Sequence, residues 1–200
     1  MIKQRALSLS LPFLRHGKLK RSPRPLRRIT SNSEGLQFIL KGETKISIRY
    51  RVLILGVGNP LMKDDGIGAH MVHELEKLRL PEGVKVLDAG TRGLGLVDLM
   101  RQAPKVVFVD AVDMGKEPGT VKRFTPQEIE AVNDKVKFSL HEVGLPQVLR
   151  LASLLGVSPE VVIFGIQPKD LGRGIGLSQE LKRAAPNIIE SVLREVDNYF

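Results

Sequence analysis

The sequence predicts an α/β fold, a three-layer αβα sandwich around a mostly parallel twisted sheet, on three observations. Four apolar runs, Arg51-Val-Leu-Ile-Leu55, Val84-Lys-Val-Leu-Asp88, Val106-Val-Phe-Val-Asp110 and Val161-Val-Ile-Phe-Gly165, have the length and character of strands, three of them continuous enough to be covered on both faces. Segments with apolar residues at helical spacing, such as Ile67–Leu78 and Leu145–Leu155, lie between them. The strand ends are polar, and the carboxyl ends of the strands are where open α/β sheets carry their chemistry.

Size and composition set the limits. At 200 residues, 42% of them hydrophobic, the chain fits one domain with a sizeable core. No apolar run approaches the roughly 18 residues of a membrane-spanning helix, so a soluble protein is expected; a cytoplasmic location and a monomeric state are separate expectations. Cysteine is absent, which excludes disulfides, thiolate metal sites and cysteine nucleophiles. Any metal ligand must therefore be carboxylate, imidazole or carbonyl.

The net charge of +9 is unevenly placed. Residues 1–50 hold 12 Lys and Arg against Glu34 and Glu43, net +10, whereas residues 51–200 hold 19 against 20 acids, net −1. Residues 1–35 therefore read as a basic, mobile extension, in which Pro23 and Pro25 argue against a continuous helix. Such a stretch shares its Arg-rich, acid-poor character with transit peptides, and it could touch nucleic acid or an anionic membrane; a solvated arm is the simpler reading. Within residues 36–50, Leu36-Gln-Phe-Ile-Leu40 and Lys45-Ile-Ser-Ile-Arg-Tyr50 flank Lys41-Gly-Glu-Thr44 as a hairpin or lead-in strand would. Residues 51–200 form the body. After the Gly/Pro-containing connection 113–120, Val121-Lys-Arg-Phe124 reads as an edge strand. Leu177–Tyr199 reads as a covering helix that Pro186 kinks or divides in two.

The first strand end is the richest in polar and glycine residues: Gly56-Val-Gly-Asn-Pro-Leu-Met-Lys-Asp-Asp-Gly-Ile-Gly68. A dinucleotide fingerprint would need glycine at position 61, which is leucine, and Asp64 and Asp65 would repel a pyrophosphate. The ordinary role for one of these acids is to cap the following helix. Adjacent residues project differently, so the pair suits an aspartic-protease dyad poorly, and a carboxylate reaching a metal fits better. Asp110, placed at the third strand's end, is either a functional acid or a structural one holding the next loop. His141, just before the helical segment 142–156, is equally ambiguous alone. His70 and His73 stand three apart on the first helix and could form a metal pair, although a helix face explains them; His16 lies in the basic extension. No glycine–serine–glycine elbow marks a nucleophilic serine.

Taken together, Gly56–Gly68, Val109-Asp-Ala-Val112 and Ser139-Leu-His-Glu-Val-Gly-Leu145 resemble the hydrogenase maturation endopeptidases, peptidase family M52, from about Arg51 to the C-terminus. Asp88-Ala-Gly-Thr91 and Gly165-Ile-Gln-Pro-Lys169 also look like family loops, the latter similar to members serving formate-hydrogenlyase or deazaflavin-reducing hydrogenases. The resemblance implies a phosphorylase/hydrolase-like sandwich. It also implies removal of a C-terminal extension from a NiFe-hydrogenase large-subunit precursor after nickel insertion. The family's metal-contacting acid falls on Asp65, its second carboxylate on Asp110 and its histidine on His141, so these three are the expected catalytic and metal-contacting residues. The nickel is expected to be carried by the precursor, either as a catalytic element or as a recognition mark beside an aspartic-type apparatus. A non-catalytic nickel-binding maturation chaperone is the alternative. The basic residues 1–50 depart from the family's short N-terminus, and the resemblance says nothing of their role.

Overall fold

A computed structural model describes residues 37–38, 46–132, 137–138 and 144–200. Within residues 36–50 the structure describes β1 (Gln37–Phe38), paired antiparallel with β2 (Ile46–Ser47). The chain then enters the body by way of Arg49 and Tyr50, whose main-chain N–H groups both donate to Gln102 O.

The four apolar runs are strands β3 (Val52–Val57), β4 (Val84–Gly90), β5 (Lys105–Asp113) and β8 (Glu160–Ile166). They pair in parallel in the order β4-β3-β5-β8, and the sheet is completed by β6 (Val121–Phe124), antiparallel at the edge beside β8. A two-residue strand, β7 (Lys137–Phe138), pairs antiparallel with Val112 and Asp113 of β5.

Side-chain alternation divides the sheet's apolar residues between two faces. Val52, Ile54, Val107, Val109, Val162 and Phe164 pack against helices α1 (Ile67–Leu75) and α5 (Gln179–Asp197). Leu53, Leu55, Val106, Phe108 and Ile163 pack with α2 (Leu96–Met100), α3 (Pro126–Val132) and α4 (Leu145–Leu154) on the other face. The three-layer sandwich is thus built as the runs predict. Ile67, Met71 and Leu75, all essentially buried on one stripe of α1, contribute about 2 kcal/mol each through burial.

Two expectations are corrected. Pro186 does not begin a second helix: α5 runs unbroken through it. Pro186 is exposed, opposite a buried stripe of Leu181, Ile188, Val192 and Val196, and the carbonyl that loses its donor belongs to Lys182, itself an exposed residue. The third strand does not end at Asp110 but continues to Asp113, because β8 and β7 supply partners beyond the point where β3 turns away. No helix among the described residues is long and apolar enough to cross a membrane.

Candidate active site

The strand order places β4 on one side of β3 and β5 on the other, so the chain changes direction across β3. The crevice at the carboxyl ends of β3 and β5 is therefore the switch point at which sheets of this kind bind ligands. The last β3–β5 pair is Gly56 with Val109. Asp110 comes one residue later, 1% exposed, and by alternation shares the Phe108 face. The four-residue turn Lys63–Gly66, which carries Asp65, packs against β5.

Glycines permit this approach. A Cβ on Gly68 would lie 2.2 Å from Val57 O and 2.7 Å from Val109 O, and one on Gly56 would lie 2.3 Å from Gly68 O. Helix α1 thus begins in direct main-chain contact with β3 and β5. Gly58, at φ 126°, turns the chain back on itself so tightly that a Cβ there would meet Asp65 O at 1.8 Å. Asp65, 1% exposed, then accepts the Asn59 N–H at Oδ2 over 2.7 Å.

The adjacent acid does something different. Asp64 is fully buried, and its Oδ2 accepts the N–H groups of Lys169 (2.9 Å) and Asp170 (3.0 Å) while Oδ1 accepts that of Ser178 (2.7 Å). The N-cap of α1 is Gly66, and Asp64 spends its carboxylate on distant main-chain donors rather than on the start of α1, which corrects the capping expectation for that acid. The donors for Asp64 come from the segment after β8, more than a hundred residues away. Further links join the same segments: Lys63 N donates to Gly174 O, Gly174 N to Leu61 O, and Lys63 Nζ pairs with Asp170, whose carboxyl is held below the usual range first by that lysine and then by the Gly172 amide.

Gln167 is another residue whose part is not evident from sequence. Nearly buried, it accepts the Met114 N–H at 2.7 Å and the Lys116 N–H at 3.1 Å and donates to Asp113, pinning the loop that follows β5. The block Gly165–Lys169 was its only signal. Beside β3, the Asp88–Arg92 loop lines a shallow depression of 260 Å³, tied to the Gly58 turn by the Gly58 N–H to Gly90 O bond of 3.1 Å.

Asp110 thus stands one residue past the last β3–β5 pair, and Asp65 lies in a turn that follows β3 and contacts β5. His141 lies outside the described residues, as does His16. His70 is half-buried and His73 exposed on α1, and among the described residues no group of three or more His, Cys, Asp or Glu side chains is arranged to hold a metal, so the pair gains no support.

The family model for hydrogenase maturation protease matches residues 69–195. The chain belongs to the hydrogenase maturation protease family. Hydrogenase expression/formation protein HupD of Bradyrhizobium diazoefficiens is 40% identical over 123 residues, 60% of this chain and 64% of that protein. HupD of Rhizobium leguminosarum bv. viciae is 37% identical over 147 residues, covering 72% of this chain and 73% of its own length. The match thus spans just under two thirds of the first of these relatives. Among solved structures, the hydrogenase maturating endopeptidase HybD from E. coli superposes with a TM-score of 0.67 at 32% identity, covering 74% of this chain and 93% of that one. A NiFe-hydrogenase maturation protease HybD from Thermococcus kodakarensis gives 0.58 at 30%, covering 71% and 96%. Membership in this family of proteases and the sandwich fold both agree with the expectations from sequence.

Proposed function

We propose that this chain is an endopeptidase that removes the C-terminal extension of a NiFe-hydrogenase large-subunit precursor once nickel is in place, with Asp65, Asp110 and His141 as the working residues. The observation that carries this reading is the pair of acids, each 1% exposed, at the switch point of a sheet shared with the maturation proteases. Carboxylates are costly to bury, and they are kept where a cation or a proton is handled. His141, which lies outside the described residues, joins them on the sequence resemblance alone.

Two carboxylates and an imidazole suit a borderline divalent ion, and they leave positions for the precursor's own ligands. In this reading the nickel belongs to the substrate, and contact with it brings the scissile peptide into register. Water then adds to the peptide carbonyl carbon, one carboxylate takes the water's proton, and the C–N bond breaks with a proton passing to the departing amine. The absence of cysteine fits the reducing cytoplasm, where we place the reaction.

The test mixes the full chain with nickel-loaded and nickel-free precursors and follows C-terminal mass, with Asp65→Ala, Asp110→Ala and His141→Ala in parallel. Loss of the extension from the loaded precursor alone, abolished by the substitutions, is the expected result. Binding without cleavage would transfer the assignment to a nickel-binding chaperone.

A further inference from the structure

We infer that Asp64 is a positioning residue for Asp65, acting as a clasp that fastens the Asp65 turn to the segment 169–178; the inference rests on the endopeptidase reading for its catalytic consequence. Three observations combine. First, the Asp64 carboxylate is fully buried and takes three main-chain N–H groups, from Lys169, Asp170 and Ser178, all on one distant segment. Opening that contact would strand an anion without donors, so the clasp resists opening. Second, the turn it holds is strained: Lys63, at φ 46°, is the one non-glycine residue with positive φ among those described. A four-residue turn has little hydrogen bonding of its own, and such a conformation persists where surrounding contacts enforce it. Third, the fastening is reciprocal and in register. Asp64 N donates to Asp170 O at 3.1 Å, and Met62 forms a parallel bridge with Gly174, so the segment fixes main chain on both sides of the strained residue.

Asp65 is the next residue, and its Oδ2 receives the Asn59 N–H. The position of that carboxylate therefore follows from where Asp64 is held. Adjacent acids divide the labour: Asp64 makes no contact with reacting atoms, and Asp65 is aimed by it.

The decisive variant is Ser178→Pro. Ser178 has φ −59°, which proline adopts, so the change deletes the N–H donated to Asp64 Oδ1 with little demand on φ. Ser178→Ala keeps that N–H and loses only the side-chain cap on Leu181 N, and serves as control. Asp64→Asn, which replaces one acceptor oxygen with a donor, is a second route to the same defect. Circular dichroism establishes that each full-length variant is folded. Two readouts follow: hydrogen exchange at the Asn59 amide, and the kcat–KM split for cleavage of nickel-loaded precursor. In Ser178→Pro and Asp64→Asn the Asn59 amide should exchange at least about tenfold faster, and kcat should fall roughly tenfold to a hundredfold with KM little changed, as expected of a misplaced catalytic group. Ser178→Ala should match wild type. A role confined to loop stability would open the Lys169 and Asp170 amides and leave Asn59 protected, and that outcome, or wild-type kcat in folded Ser178→Pro and Asp64→Asn, overturns the inference. If the wild-type chain leaves the precursor uncut, the endopeptidase reading falls by itself. Asn59 exchange then decides the clasp: faster exchange in the variants supports it and unchanged exchange ends it.

Discussion

At the amino end of the sheet Lys105, 3% exposed, sends its ammonium to Glu160 at 2.9 Å and Glu195 at 2.7 Å, and Arg123 grips Glu195 with two further bonds. At the carboxyl end Asp64 is as deeply buried, but its charge is met by main-chain N–H groups. The difference is one of purpose. Long, flexible side chains from β5, β6, β8 and α5 meet at the amino end, so charge neutralises charge with tolerance in position. Main-chain donors have no such freedom, so the carboxyl end fixes geometry, which is what a site needs.

The sharpest way to break this comparison is to strike each end separately. Asp65→Ala or Asp110→Ala should lower precursor cleavage by roughly 10²–10⁴, measured by C-terminal mass, with no comparable effect of amino-end changes. Gly68→Ala should be the most damaging for stability, at about 3 kcal/mol in urea unfolding, because its Cβ meets main-chain oxygens that cannot swing aside. Lys105→Met should cost about 2 kcal/mol and leave cleavage intact, since Glu195 keeps Arg123.

A pH series sharpens the contrast. Burial works against the Lys105 charge, yet the bonds to Glu195 and Glu160 outweigh it and hold its pKa above the ordinary value. For Glu195 burial likewise opposes ionisation, and Arg123 and Lys105 prevail, holding it below the ordinary range. The lysine's contribution is complete below about pH 10.4 and is lost as pH rises through its folded value; the glutamate's is complete above about pH 4.3 and is lost as pH falls through its folded value. The wild-type advantage over Lys105→Met should therefore form a plateau between those limits and shrink on either side. The smallest effect should come from Asp170→Asn. Its ion pair with Lys63 is half-exposed and screened by solvent, so the loss in urea unfolding should be the least of the series and diminish in high salt.

Much of this arrangement was legible in the sequence, for reasons tied to particular residues. The runs at 52–55, 106–110 and 161–165 announced buried parallel strands because both faces are covered, and the glycine-punctuated Gly56–Gly68 block and Asp110 pointed to the switch point. What escaped depends on partners far along the chain. Asp64 looked like a helix cap because caps are local, whereas its donors stand 105 to 114 positions away. Gln167 likewise serves the loop after β5, some fifty residues earlier. The extension of β5 past Asp110 rests on the end of β8 and on the two residues of β7, both remote in sequence, and the continuity of α5 through Pro186 goes with an exposed position on that helix. His141 falls outside the described residues, so the expectation for it rests on the resemblance alone.

The main-chain contact between Gly56 and Gly68 also governs how this protein can change over generations. In an ordinary core, a larger residue at one position can be offset by a smaller one opposite, so lineages drift through compensating pairs. Here both partners already have no side chain, and no compensating step exists. The junction that seats the acidic turn is thus a fixed point around which the surrounding core and loops are free to diversify.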